Sequence, residues 1–194
     1  MSNKIGELVD RIAKLEHQLL AELEQQQEEF KYMLEGSKVK FDEASLKAHR
    51  LLRVAVFPWL LSSKVRHILS IPFIYGMIVP ILFIDIMITC YQHICFRLYN
   101  IARVDRSKYI VMDRNQLPYL NAIEKFNCLY CGYGNGVMSY SREVIARTEQ
   151  YWCPIKHARK VLGTHRRYRN FAAYGDGENY GSELIRLRDE LRED

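Results

Sequence analysis

Charge is almost missing from the middle of this chain. Between Arg66 and Arg97 the one formally charged side chain is Asp85. A helix on a soluble surface needs a polar face along its whole length, and this stretch has none in its first half. Helix breakers are missing from the other end: residues 3–35 hold no proline and, apart from Gly6, no glycine. Cysteine is sparse and odd in number, five in 194 residues, without the spacing of a small disulfide-stapled secreted domain. That points to a reducing compartment for the C-terminal part. The N-terminus lacks the short apolar core and small-residue cleavage site of a secretory signal. No arrangement of side chains spells out a reaction, so no catalytic residue is assigned and the reading leans away from an enzyme.

What is present is segregated. Residues 1–36 carry a net charge of −4, residues 37–67 carry +5, and residues 97–194 carry +5. Basic segments on both sides of an apolar stretch suit anionic lipid headgroups, with nucleic acid as the competing partner. Residues 3–35 read as one helix, with Ile5, Leu8, Ile12, Leu15 and Leu19 at spacings of three and four and a shift through Leu23 to Phe30 and Leu34. Gly36 is its stop signal. Such a stripe is either a coiled-coil seam or the inner face of an amphipathic helix packed on its own domain. In residues 37–67, Val39, Phe41, Leu46 and Leu51–Leu52 fit one helical face. Pro58 then breaks the pattern and Trp59 follows, as in an interfacial helix.

Residues 68–96 form the membrane candidate. A helix over 71–91 would span roughly 30 Å, about the thickness of the hydrocarbon core. Pro72, Gly76 and Pro80 predict a kink in its first half. Asp85, Thr89, Gln92 and His93 fall on one side of the second half. Such a stripe is an intramembrane ion or proton site, or else an oligomer seam or a contact with another helix of the chain. A single kinked span is favoured, with a re-entrant hairpin as the alternative. Beyond it Lys108–Asp113 reads as a short strand, and residues 115–126 as a helix carrying Leu117, Leu120, Ile123 and Phe126.

Cys128, Cys131, Cys153 and His157 give the pattern C-x2-C, a 21-residue interval, then C-x3-H. With a tight turn at Gly132, Gly134 and Gly136, the first two thiolates would chelate one ion. With Cys153 and His157 on one helical face, the second pair would close the shell. Three sulfurs and an imidazole suit structural zinc, with iron as the alternative. A redox dithiol at Cys128 and Cys131, or three buried thiols, are the competing readings. A helix over 138–152 would join the two half-sites. Glu124, Glu143, Glu149 and Asp113 read as surface or capping groups, and His165 as a solvent-exposed side chain in a basic loop.

The stretches N-C-L-Y-C-G-Y-G-N-G and R-T-E-Q-Y-W-C-P-I-K-H-A-R resemble a family of short bacterial membrane proteins of unassigned function. So do Ile71–Gly76, Tyr91–Arg97 and Asp113–Asn121. The resemblance covers roughly the middle half of the chain. It implies a bacterial origin and a membrane location, and no activity.

The tail is basic from Lys156 to Arg169, interleaved with Tyr168, Phe171 and Tyr174. That composition suits lipid or a protein partner, or single-stranded nucleic acid as the weaker alternative. After a break at Gly175-Asp176-Gly177, residues 182–192 read as a short helix with Leu184, Ile185, Leu187 and Leu191 on its apolar side.

The expected architecture is therefore mainly α, in five parts. Residues 1–36 are a coiled-coil-like helix, 37–67 a basic interfacial segment and 68–96 a membrane segment. Residues 97–170 are a Cys3His metal domain, and 171–194 a break with a terminal helix. The expected role is a metal-stabilised scaffold or assembly factor at the bacterial inner membrane, its C-terminal domain cytoplasmic. Its partners would be lipid and either further copies of itself or a membrane protein. A membrane redox or metal-handling protein is the alternative.

Overall fold

The computed structural model describes residues 2–36, 38–61 and 64–193. The chain is mainly helical and divides into two compact units. The first comprises residues 1–62 and 113–126, the second residues 63–112 and 127–194.

The first unit opens with α1, Ser2–Glu29. The helix ends earlier than its apolar stripe suggests. Lys31 turns into the left-handed region at φ 52°, and the chain continues as an antiparallel hairpin, β1 Tyr32–Glu35 and β2 Lys38–Phe41. Leu34 thus faces Val39 across the hairpin and is not part of a helical seam. Gly36, at φ 59°, sits in the hairpin turn, where an L side chain would be strained. Leu15, Leu19, Leu20 and Leu23 are exposed. Ile5, Leu8 and Ile12 have side chains outside the described ones.

The expected single helix over Val39–Leu52 is likewise replaced by a strand and a helix. Asp42 caps α2, Glu43–Leu51, by accepting from the Ala44 amide at 3.3 Å. Pro58 lies in the first turn of α3, Val56–Leu61, where its missing N–H costs nothing. Tyr32, Phe41, His49 and Tyr119 form a chain of ring contacts at 5.1–5.9 Å. The Gln116 side chain accepts from the Val39 amide at 2.8 Å.

The second unit is built on one long apolar helix, Val65–Tyr99. Its parts are α4 Val65–Gly76, α5 Ile78–Tyr91, a π-helical turn Gln92–Phe96, and α6 Arg97–Tyr99. The interruption falls at Gly76–Met77 for a definable reason. Pro80 has no N–H to give the Gly76 carbonyl, and its ring crowds that carbonyl. Met77 keeps right-handed helical dihedrals, φ −64° and ψ −13°, so the chain continues forward and does not reverse into a hairpin. Asn100, left-handed at φ 53°, ends the run.

Residues 100–112 return along this helix. The expected strand at 108–113 is absent: a 3-10 turn at Arg106–Lys108 leads into irregular chain packed on a helix. That helix is α7, Ala122–Trp152. Asn121 caps it by accepting from the amides of Ile123 and Glu124, both at 3.0 Å. Glu124 answers by accepting from the Asn121 amide at 2.9 Å, a reciprocal capping box. The helix expected over 115–126 is thus a 3-10 turn at Arg114–Gln116, a Pro118-containing turn and the start of α7.

Phe96, Ile101, Val104, Tyr140, Val144 and Leu191 form the core of this unit. Leu191 comes from the C-terminal helix α8, Tyr180–Glu193, whose Leu187 and Leu191 are fully buried while Ile185 is exposed. The Leu191 carbonyl accepts from the Ala102 amide at 2.9 Å, and Arg188 stacks over the Tyr151 ring at 4.5 Å.

Candidate functional site

The four expected metal ligands are not brought together. A closed tetrahedral site needs all four donors within about 2.3 Å of one ion. Here α7 runs unbroken through Gly132, Gly134 and Gly136, so Cys128 and Cys131 lie on a helix and not in a turn. Cys153 follows the last turn of the same helix. The 21 residues from Gly132 to Trp152 alone occupy about 30 Å of helix axis. Among the described residues no cluster of three or more Cys, His, Asp and Glu groups could hold an ion. The expected zinc or iron site of Cys128, Cys131, Cys153 and His157 is not assembled among the described residues.

The segment after α7 is extended, not helical. Its Lys156 amide donates to the Ala172 carbonyl at 2.8 Å, and the Ala172 amide to the Pro154 carbonyl at 2.9 Å. His157 is exposed and stacks on Tyr168, with ring centroids 6.1 Å apart. All five cysteines are free thiols. Cys128 and Cys131 lie beyond the first turn of α7, out of reach of its N-terminal amides.

Gly136 has a different use from the one its motif suggests. A Cβ there would come within 2.8 Å of the Ile110 Cα and 2.9 Å of the Tyr109 carbonyl oxygen. The glycine lets the returning chain lie directly on α7.

That close approach completes a polar seam, the main candidate site. The Val65–Tyr99 helix and α7 run side by side in the same direction, meeting at Ile74 with Tyr130, Asp85 with Tyr133, Gln92 with Tyr140, and Tyr99 with Tyr151. Asp85 is buried, and its carboxylate takes Arg106 in a two-pronged pair, Nε to Oδ1 at 3.0 Å and Nη2 to Oδ2 at 2.6 Å. Tyr133 donates its hydroxyl to Oδ2 at 2.7 Å. The hydrogen bonds that Arg106 donates to Asp85 raise its guanidinium further above its usual range. Burial, reinforced by the same carboxylate, pushes the Tyr133 phenol up. One turn on, Thr89 lies 3.4 Å from the Tyr140 hydroxyl.

Gln92 opens the π-helical turn and is buried. It accepts from the Val104 amide at 3.0 Å, gives back to the Val104 carbonyl at 3.3 Å, and donates to Tyr140 at 2.6 Å. It therefore pairs with the returning chain as another strand would. His93 does not belong to the seam. It is exposed, one residue round the helix from Gln92, and its Nδ1 meets the Thr89 carbonyl of its own helix at 2.8 Å. Asp85, Thr89 and Gln92 thus bind another helix and the returning loop of the same chain, one of the two plainer alternatives to an ion site.

A second polar centre was not anticipated. His165, expected in solvent, is half-buried and lies 2.8 Å from Glu149. Glu143 accepts from Arg147 at 3.1 Å and from Arg167 at 2.9 Å. The four-residue spacing of Glu143 and Arg147 was legible. The tail arginine folding back onto them was not, because it depends on the pairing of Ile155 with Ala172.

No protein-family model, curated protein or solved structure matches this chain.

Proposed function

We propose that this protein is a membrane-embedded scaffold or assembly factor, with Val65–Tyr99 in the hydrocarbon layer. The observation that supports it is the inverted polarity of that helix. Asp85 and Gln92 are among its buried residues, whereas Phe73, Val79, Phe83, Ile86 and Leu98 are exposed. In water such an arrangement wastes apolar area on the solvent, whereas in lipid it is the favourable one. The helix is long enough to cross, and only 6% of its most apolar window is buried. Exposed Leu51, Leu52 and Phe57 beside Arg50 and Arg53 suit a headgroup-level segment. The three free thiols of the C-terminal part favour the reducing, cytoplasmic side. The scaffold role rests on α1, whose exposed leucine stripe fits a partner helix, a second copy of the chain being the simplest.

The test is alkaline carbonate extraction of membranes from bacterial cells expressing the full chain. The protein is expected to stay with the bilayer pellet. Its release into the supernatant, as for a peripheral or soluble protein, overturns the reading.

A further inference from the structure

The tail arginines were expected to contact lipid or a protein partner, and the structure gathers several of them around a cleft. Arg166–Asn170 is a 3-10 turn, in which residues three apart eclipse. Arg166 and Arg169 therefore share one side, while Arg167 occupies another and turns inward. The turn walls a polar cavity of about 610 Å³ together with α7 and α8.

The floor of the cavity is fixed. Glu143 holds Arg147 and Arg167, the Arg147 Nη1 donates to the Ala102 carbonyl at 2.7 Å, and the Arg167 Nη1 donates to Gln150 at 3.0 Å. Gln150 is itself buried and anchored on the Leu187 carbonyl at 2.8 Å. The mouth differs. Arg166 and Arg169 line the cavity and are exposed, and among the described residues neither guanidinium has a hydrogen bond or ion pair. The cavity's other carboxylate, Glu190, is paired with Arg186. Four guanidiniums thus converge on a space whose two carboxylates are already engaged, which leaves the cleft cationic.

We propose that this cleft binds a phosphate-bearing ligand. Arginine presents a planar fork of donors that matches phosphate oxygens two at a time. Two arginines held rigid by Glu143 and two poised at the mouth can surround such a group. The volume is that of a small-molecule site and leaves room for a polar body against Gln150 and Asn170. The phosphate could arrive on a soluble metabolite or on an anionic lipid headgroup. The headgroup source alone rests on the membrane reading above, since Arg147 reaches the Ala102 carbonyl just past the end of the apolar helix.

The experiment uses the full chain in mild detergent, titrated calorimetrically with inorganic pyrophosphate, short-chain phosphatidylglycerol, short-chain phosphatidylcholine and a single-stranded oligonucleotide. The variant is Arg166→Gln/Arg169→Gln. Its control is Arg159→Gln/Lys160→Gln, which makes the same charge change on the same tail outside the cleft. Binding of pyrophosphate or of phosphatidylglycerol is expected, weakened at least about tenfold in the cleft variant and less than about twofold in the control. Pyrophosphate binding assigns a soluble ligand. Phosphatidylglycerol binding without pyrophosphate or phosphatidylcholine binding assigns a headgroup. No binding by any probe overturns the proposal, as do equal losses in both variants or binding confined to a single-stranded oligonucleotide. Carbonate extraction of the cleft variant is expected to match the wild type, so failure here and failure of the membrane reading are separate results.

Discussion

Asp85 gathers the second unit around one carboxylate. It is the one acidic residue on a largely apolar helix, is buried there, and is neutralised by a residue 21 positions later in the returning loop. Removing one member of such a pair leaves the others desolvated without a partner, which costs more than the pair contributes. Arg106 is 44% exposed, and that solvent screening lowers the figure below the fully buried case. Asp85→Ala is expected to lower stability by about 2 kcal/mol, with Tyr133 losing its acceptor as well. Arg106→Ala should cost less, and the double variant less than the sum of the two. Denaturant unfolding in mild detergent reads this, and strict additivity would sink the coupling. Gly136 makes the opposite kind of argument, from shape alone. Alanine favours a helix by about 1 kcal/mol over glycine, but at Gly136 its Cβ meets backbone atoms that cannot move aside. Gly136→Ala is expected to destabilise by roughly 1–3 kcal/mol. Gly134→Ala, whose Cβ would meet only the Ile81 Cδ1 at 3.4 Å, should be neutral or stabilising. Thermal unfolding of the two variants side by side tests the contrast, and equal effects would refute it.

At the scale of elements, α7 explains both what the sequence disclosed and what it hid. The apolar run from Val65 onward was legible because almost no charge interrupts it. The Asp85–Thr89–Gln92 stripe was legible because helical spacing holds as far as the π-helical turn. The glycines of 132–136 misled because glycine signals a turn only when nothing else needs its missing side chain. Here the need is the Ile110 backbone, which no local pattern reveals. The hairpin at Tyr32–Phe41 was hidden for the converse reason: a helical stripe of Phe30 and Leu34 also fits a strand face when the run is short. Once α7 is continuous, Cys128 and Cys131 stand a helix length away from Cys153 and His157. Exhaustive chelation followed by buffer exchange is therefore expected to leave the thermal midpoint unchanged. A loss of several degrees, reversed by zinc, would show that ligands meet in a way one chain does not allow.

At the scale of the whole molecule, the question is what solvates the exposed apolar helix, and its own cysteines can report on it. Cys90 lies on the Val65–Tyr99 helix and Cys153 beyond the end of α7, and both are exposed on the protein surface. In water the two thiols should react alike. In a bilayer they should not, because a charged maleimide does not enter hydrocarbon and a thiol there has no water to accept its proton. Two variants that each retain one of these cysteines separate the cases. In inside-out membrane vesicles the Cys153-only protein is expected to label readily, and the Cys90-only protein only after denaturation. Equal labelling of both in native vesicles would mean that water, not lipid, covers the helix. The inverted polarity of Val65–Tyr99 would then require a protein partner along its length. Labelling of Cys153 from right-side-out vesicles instead would leave the helix in the membrane and reverse the orientation, placing the basic tail outside. Because each outcome changes a different link, one pair of variants distinguishes what surrounds the helix from the side on which its C-terminal domain stands.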